Sequence, residues 1–210
     1  MGRPKQALIS RRKTLEVALR IIDEEGLDAL SIRRLGDELN VRGISLYHHF
    51  PSKEHILIGA CELALANVRT PNTSNVDWRE WFVQNAIEYY TALRTHPNLI
   101  PILMRRHPLR IGLEEHNATA GLLAVQGVPP GVIISLLEAF ESLALGCAAY
   151  ESAVDSEKDD DWQTAQPFIY HVSRMREVSR ERAFKVMAQS IAEALLAEYD
   201  RVHEEKGADA

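Results

Sequence analysis

Two cysteines, Cys61 and Cys147, are all that 210 residues contain. They lie far apart in apolar helical stretches, so they read as reduced packing residues rather than a disulfide or metal pair. No stretch approaches the roughly 18 consecutive apolar residues of a membrane span. Met1 to Lys13 is basic and polar with no apolar signal core behind it. The expectation is a cytoplasmic chain with no membrane attachment. Catalytic spacings are missing as well: there is no H-E-x-x-H, no C-x-x-C, no G-x-S-x-G elbow and no phosphate-cradling glycine loop. None of the eight histidines follows a glutamate three residues earlier, as bundle di-iron sites demand. His48 and His49 are adjacent, and about 100° apart on a helix they cannot face one ion. No enzyme activity, catalytic residue or cofactor is expected, and metal is left unassigned.

What is present is a chain rich enough to bury a core, 46% hydrophobic and 26% charged. The net charge of -6 by itself argues against nucleic acid, but it is unevenly spread. Residues 1–70 carry 11 Lys and Arg against 9 Asp and Glu, whereas the remainder carries 13 against 21. Met1 to Lys13 holds five basic residues and no acid, a block able to neutralise phosphates and release their counterions, or to remain a solvated arm.

Apolar residues recur at helical spacing throughout, and no strand alternation of useful length appears, so the fold class is all-α. A first helix is expected from Ser10 to Glu25, with Leu15, Ala18, Leu19 and Ile22 inward and Gly26 as the stop. Ser31 caps a second with Ile32, Leu35 and Leu39 at three- and four-residue spacing. Asn40 ends it, tolerating a left-handed conformation. A third helix runs from Ile44 to Phe50 and is stopped by Pro51. A fourth reaches about Val68, with Ile56, Leu57, Ala60, Leu63 and Ala64 inward. Thr70 to Asn75 is the clearest composition break. Beyond it, Asp77 and Glu80 resemble a capping box for a helix ending near His96 and Pro97. Short and longer helices follow over Ile102–His107 and Leu109–Gln126. The last two, Gly131 to Val154 and Ser179 to His203, are apolar on two faces and must be buried on both. The acidic segment between them, Asp155 to Asp161, is expected to be mobile.

Three short helices within about 50 residues, the second and third joined by a tight turn, form the pattern that lays its last helix in the major groove. The string from Leu39 to Glu54, Leu-Asn-Val-Arg-Gly-Ile-Ser-Leu-Tyr-His-His-Phe-Pro-Ser-Lys-Glu, resembles the DNA-binding signature of the TetR family of regulators. One position departs from that pattern, since the family commonly carries glycine where Asn40 stands. The resemblance implies phosphate contacts from Tyr47, His48 or His49, and Lys53. Chemistry agrees: Lys53 opens a helix whose free amides attract phosphate, and Tyr47 offers a hydroxyl. Arg42, Gly43 and Ser45 present small or fork-shaped groups to base edges, with Arg42 the reader of guanine. Ser31 and Arg33 lie at the start of the second helix, where Arg33 and Arg34 either reach the DNA backbone or form a solvated face. Leu46 and Phe50 are expected to pack inward. The domains on this reading are residues 1–52 as the head, 53–70 as a linking helix and 71–210 as a bundle for ligand and dimer.

A single recognition helix reads few base pairs, so a homodimer on double-stranded operator DNA is expected. Its interface falls on the doubly apolar helices, at Leu136, Leu143, Cys147, Val186, Ile191 and Leu195. The resemblance implies the same four-helix arrangement, a small-molecule effector in the middle helices and release of a repressor from its operator. Candidate liners are Trp81, Phe82, Asn85, Tyr89, Met104, His107, His116, Phe140 and Glu141. The segment from Pro101 to Pro108 is then a candidate moving part. Two other readings remain: a helical ligand-binding adaptor, and a DNA binder without effector control.

Overall fold

The computed structural model describes residues 10–68, 77–105, 111–156 and 162–208. Among them no strand occurs, and the helices are α1 (Arg11–Glu25), α2 (Ile32–Glu38), α3 (Gly43–Leu46), α4 (Lys53–Ala64), α5 (Trp78–Thr95), α6 (Ile100–Met104), α7 (Leu113–Val125), α8 (Pro130–Ser156), α9 (Trp162–Ala165), α10 (Pro167–Arg174) and α11 (Arg180–Ala208). They divide into two compact units, residues 1–67 with 96–111, and residues 68–95 with 112–210. The composition break thus falls near one boundary, but the chain returns to the first unit at His96, which the expected division at residue 70 does not show.

In the first unit, α1 begins because the Ser10 hydroxyl accepts the Lys13 amide at 3.0 Å, and it ends at Gly26 with φ of 88°. Its buried stripe is Thr14, Val17, Ala18, Ile21 and Ile22. Leu15 and Leu19 are only half-buried, so the inward face is turned by about one position from the expected one. α4 packs along α1, with Gly59 so close that an added Cβ would meet the Leu15 side chain at 2.7 Å. The inward residues of α4 include Ile56, Leu57, Ala60 and Cys61, whereas Leu63 and Ala64 are half-buried. Residues 96–99 bind the C-terminal end of α1: His96 Nδ1 lies 2.8 Å from the Asp23 carboxylate, and the Asn98 amide donates to the Ile22 carbonyl at 2.8 Å. The buried side chains of Leu99, Ile100, Ile102 and Leu103 follow.

The second unit is built on α5, α8 and α11, which contact one another pairwise, with α7 against α8. α8 carries apolar residues on two sides, and both are used: Val132, Leu145 and Ala148 are buried as well as Ile133, Leu136, Phe140 and Ala144. Within this helix, Pro130–Val154 is long and apolar enough to cross a membrane by length and composition, although Glu138 and Glu141 interrupt its apolar run; half of its most apolar window is buried by protein. Tyr90 of α5 stacks on Phe184 of α11 at 4.3 Å between centroids, and its hydroxyl donates to the buried Glu151 carboxylate. Helices α9 and α10 were not expected. The expected loop Asp155 to Asp161 lies largely outside the described residues.

The turn between α2 and α3 carries the sharpest local constraint. Asn40 has φ of 55°, the Val41 amide donates to the Gly36 carbonyl at 2.9 Å, and the Asn40 amide donates to the Asp37 carbonyl at 3.2 Å. These bonds form a Schellman ending with asparagine in the left-handed place. A Cβ on buried Gly36 would stand 2.9 Å from the Val41 carbonyl oxygen and 3.2 Å from the Gly43 nitrogen, both backbone atoms that cannot step aside. Gly36→Ala is therefore expected to cost about 1–3 kcal/mol of unfolding free energy and to weaken DNA binding further. Asn40→Gly is expected to stay within about 1 kcal/mol of the parent, both read by thermal or urea unfolding.

Candidate functional site

The first candidate site is the outer face of α3 with the residues flanking it. Ser31 opens α2, its hydroxyl accepting the Arg34 amide at 3.0 Å. Two residues on, Arg33 is fully extended into solvent, 3.9 Å from Asp37. Arg34 is not free for a partner: it sits 2.7 Å from Glu25 and 2.9 Å from Glu38. Arg20 reaches Glu38 from α1 at 2.6 Å, and this hydrogen bond is the main reason Glu38 titrates below the usual carboxylate range. Of the arginines in this part of the head, Arg33 and Arg42 thus face outward without the close ion pairs that hold Arg20 and Arg34.

α3 is shorter than expected, since regular helix ends at Leu46 and continues as turns; Pro51 lies just beyond. The Phe50 amide still donates to the Leu46 carbonyl at 2.9 Å, so the chain keeps winding. Leu46 and Phe50 are wholly buried, which fixes the other face outward. Arg42 stands at the N-cap, exposed; Gly43 lies close to Ile32, where an added Cβ would meet the Ile32 side chain at 3.0 Å. Ser45 is half-buried, Tyr47 is 52% exposed, and His48 and His49 are exposed. Lys53 is the first residue of α4 and half-buried. Ile44, not singled out from the sequence, is 71% exposed between Arg42 and Ser45. An isoleucine there offers an apolar surface of the kind that packs on a thymine methyl. The signal was readable: if Leu46 and Phe50 face inward, the residue two before Leu46 faces elsewhere.

The second candidate site lies in the second unit. Trp81, Phe82, Asn85 and Tyr89 follow one another along α5, Phe140 and Glu141 sit on α8, and His116 on α7. Phe82 and Phe140 have ring centroids 4.4 Å apart, and Trp81 lies 5.7 Å from Phe82. The Trp81 indole nitrogen is buried with no hydrogen-bond acceptor. The Tyr89 hydroxyl donates to Glu141 Oε1 at 3.4 Å, and His116 Nε2 lies 4.0 Å from Glu141 Oε2. Burial pushes the Glu141 carboxyl up to about 7, opposed by the Tyr89 hydrogen bond and assisted by Glu138. Met104 ends α6, belongs to the first unit and is 65% exposed. Its neighbours Ile102 and Leu103 take the inward positions of that short helix. His107 lies outside the described residues.

One correction concerns the outer apolar faces. Leu136 is wholly buried inside the chain, since it sits on the side of α8 that meets its own unit, so it has no surface to offer a second subunit. On α11 the inward residues are Phe184, Ala188 and Ala192. Val186 is 53% exposed, and Ile191 and Leu195 are half-buried, as are Leu143 and Cys147 of α8. Both cysteines are free thiols, and burial raises the Cys61 thiol to about 12.

The raised Glu141 carboxyl has a consequence for stability. The unfolded chain ionises this group near the ordinary value of 4.5, while the folded chain holds its proton until about 7. Folding stability therefore falls across that interval and is level above it. Glu141→Gln is expected to remove the fall and to be the more stable protein by up to about 3 kcal/mol at pH 8, with no gain at pH 4. Urea midpoints at the two pH values check this.

Comparison with known proteins follows from this geometry. The family described as bacterial regulatory proteins, tetR family, matches residues 15–60. The tetracycline repressor protein class A from transposon 1721 of Escherichia coli is 27% identical over 154 residues, covering 72% of this chain and 71% of the repressor. Among solved structures, apo ActR from Streptomyces coelicolor superposes with a TM-score of 0.71 at 25% identity, over 91% of this chain and 98% of that one. ActR in complex with (S)-DNPA gives 0.70 at 25% identity, over 91% and 99%.

Proposed function

We propose that this chain, a member of the tetR family of bacterial regulatory proteins, is a cytoplasmic repressor that grips an operator as a homodimer and leaves it when a small molecule enters the helical bundle. The observation that carries the reading is the outer face of α3. Arg42, Ile44 and Tyr47 are exposed and Ser45 half-buried above a core closed by Leu46 and Phe50, and Lys53, half-buried, opens α4. Arg42 offers the fork that pairs with guanine O6 and N7, while Ser31, Arg33, Tyr47, His48, His49 and Lys53 supply positioning contacts to phosphate. Gly43 allows close backbone approach.

Two heads are needed because one short helix covers too few base pairs for useful specificity. The apolar residues left outward on α11, Val186 and Met187 among them, support a twofold interface with the half-buried Leu143, Cys147, Ile191 and Leu195. The effector site is assigned to the cluster of Trp81, Phe82, Asn85, Tyr89, His116, Phe140 and Glu141. Support comes from a complex of ActR, whose partner is (S)-DNPA, and from the tetracycline repressors by name. The effector acts only through its different affinity for DNA-competent and DNA-incompetent states.

Operator binding is expected to weaken linearly with salt on logarithmic axes, and Lys53→Ala to reduce that slope by about one. Arg42→Ala is expected to cost about 1–3 kcal/mol on the operator and much less on unrelated DNA. Sedimentation in the micromolar range is expected to show a dimer. Affinity independent of salt, or a monomer, speaks against the reading.

A further inference from the structure

Glu141 lies in the middle of α8 with 8% of its surface exposed, and three helices bear on its carboxyl. The titratable groups facing it are Tyr89 from α5, His116 from α7 and, along its own helix, Glu138. His116 Nδ1 is 2.9 Å from the Gly112 carbonyl oxygen. A carbonyl only accepts, so Nδ1 carries the imidazole proton, and in the neutral ring Nε2 is a bare lone pair. That lone pair looks at Glu141 Oε2 across 4.0 Å, beyond hydrogen-bond range. When the carboxyl is ionised, two acceptors thus face each other, the carboxylate buried and the imidazole half-buried. Among the described residues no lysine or arginine stands within ion-pair reach of the carboxyl. Next along the chain, Phe140 holds its ring 4.4 Å from that of Phe82.

A group that completes this arrangement has to donate in two directions, to carry positive charge and to be attached to a flat apolar body. A nitrogen standing about 2 Å to one side of the line between them would lie about 2.9 Å from each acceptor. We propose that the bundle binds a cationic aromatic ligand, its protonated nitrogen bridging Glu141 and His116 and its rings lying against Phe82 and Phe140. This rests on the reading of the cluster as the effector site and names the chemical class that the site takes. An anionic ligand would meet the carboxylate with like charge. A neutral hydrocarbon would leave Glu141 Oε2 without a donor. A divalent metal would find one carboxylate and one imidazole, short of the three or four protein ligands of a zinc site, and apolar rings supply none. The aromatic faces favour an organic cation through the ring quadrupole.

Charge linkage gives the signature. The cation binds the ionised carboxyl, which burial leaves partly protonated near neutrality, so affinity rises as the proton leaves.

The test uses the full chain without DNA and three fluorescent tricyclic probes: 9-aminoacridine as the cation, 9-anthracenemethanol as the neutral analogue and anthracene-9-carboxylate as the anion. At about pH 8 the cation is expected to bind best, and to weaken about tenfold by about pH 6. Glu141→Gln is expected to lower its affinity about tenfold at the higher pH and to abolish the pH dependence, while thermal unfolding confirms that the variant is folded. Equal binding by Glu141→Gln, binding of the anion at least as tight as the cation, no binding of 9-aminoacridine, or binding that requires magnesium or zinc and is lost with a chelator each overturns the proposal. The two readings fail separately. If the neutral probe binds and also releases operator DNA, with Glu141→Gln unaffected, the cluster remains an effector site and only the cationic class falls. Failure of the regulator reading shows instead as loss of salt-dependent operator binding with no ligand present.

Discussion

The approach of Gly36 to the backbone of Val41 and Gly43 is the constraint on which the DNA-facing surface depends. Only a residue without Cβ lets α2 and the turn come this close, and only a residue tolerant of positive φ can follow Leu39. With both satisfied, the chain reverses in a few residues, and Leu46 and Phe50 drop into the core below α3. The opposite face has nowhere to go except outward. Exposing Ile44 and Tyr47 is unfavourable in the free protein, and the arrangement makes sense as a surface awaiting a partner. Charge bookkeeping in the head points the same way. Arg20 and Arg34 are tied to Glu24, Glu25 and Glu38, which stiffens the back of α1 and α2 while leaving Arg33 and Arg42 outward.

The second unit solves a different problem. Its central helices are apolar on more than one side, so burial proceeds by pairwise packing of α5, α8 and α11, and polar groups inside must be answered locally. Tyr90, Arg94 and Glu151 answer one another: the tyrosine hydroxyl donates to Glu151 and the Arg94 guanidinium lies 2.9 Å from it. Glu141 is answered less well, by a long contact to Tyr89 and a histidine lone pair out of reach. Glu151 Oε2 makes no hydrogen bond of good geometry despite the 2.9 Å approach of Arg94, so the difference between the two acids is that Glu151 has a cation beside it and Glu141 has none among the described residues.

Much of this was legible in the sequence because it is local. Ser10, Ser31 and Ser179 accept first-turn amides, at 3.0, 3.0 and 3.1 Å, and Gly26, Asn40 and Gly127 take the positive φ that ends a helix. The inward places of Leu46 and Phe50 follow from helical spacing before Pro51. What was not legible depends on contacts distant in sequence. Met104 looks like a pocket residue by type, and no local pattern announces that residues 96–111 return to the first unit. Leu136 and Val186 both belong to apolar stripes, and periodicity alone cannot say which stripe meets its own chain; Leu136 does, and Val186 does not. α10 escaped notice although Pro167 opens it and Phe168, Ile169 and Val172 recur at helical spacing, because those side chains are outward and the segment follows an acidic stretch.

The most direct test of the central claim is selection of duplexes from a random-sequence pool by the purified full chain. An outward α3 on paired heads predicts enrichment of an inverted repeat, with half-sites one or more helical turns of about 34–36 Å apart. Recovery of no sequence above bulk DNA would contradict the account.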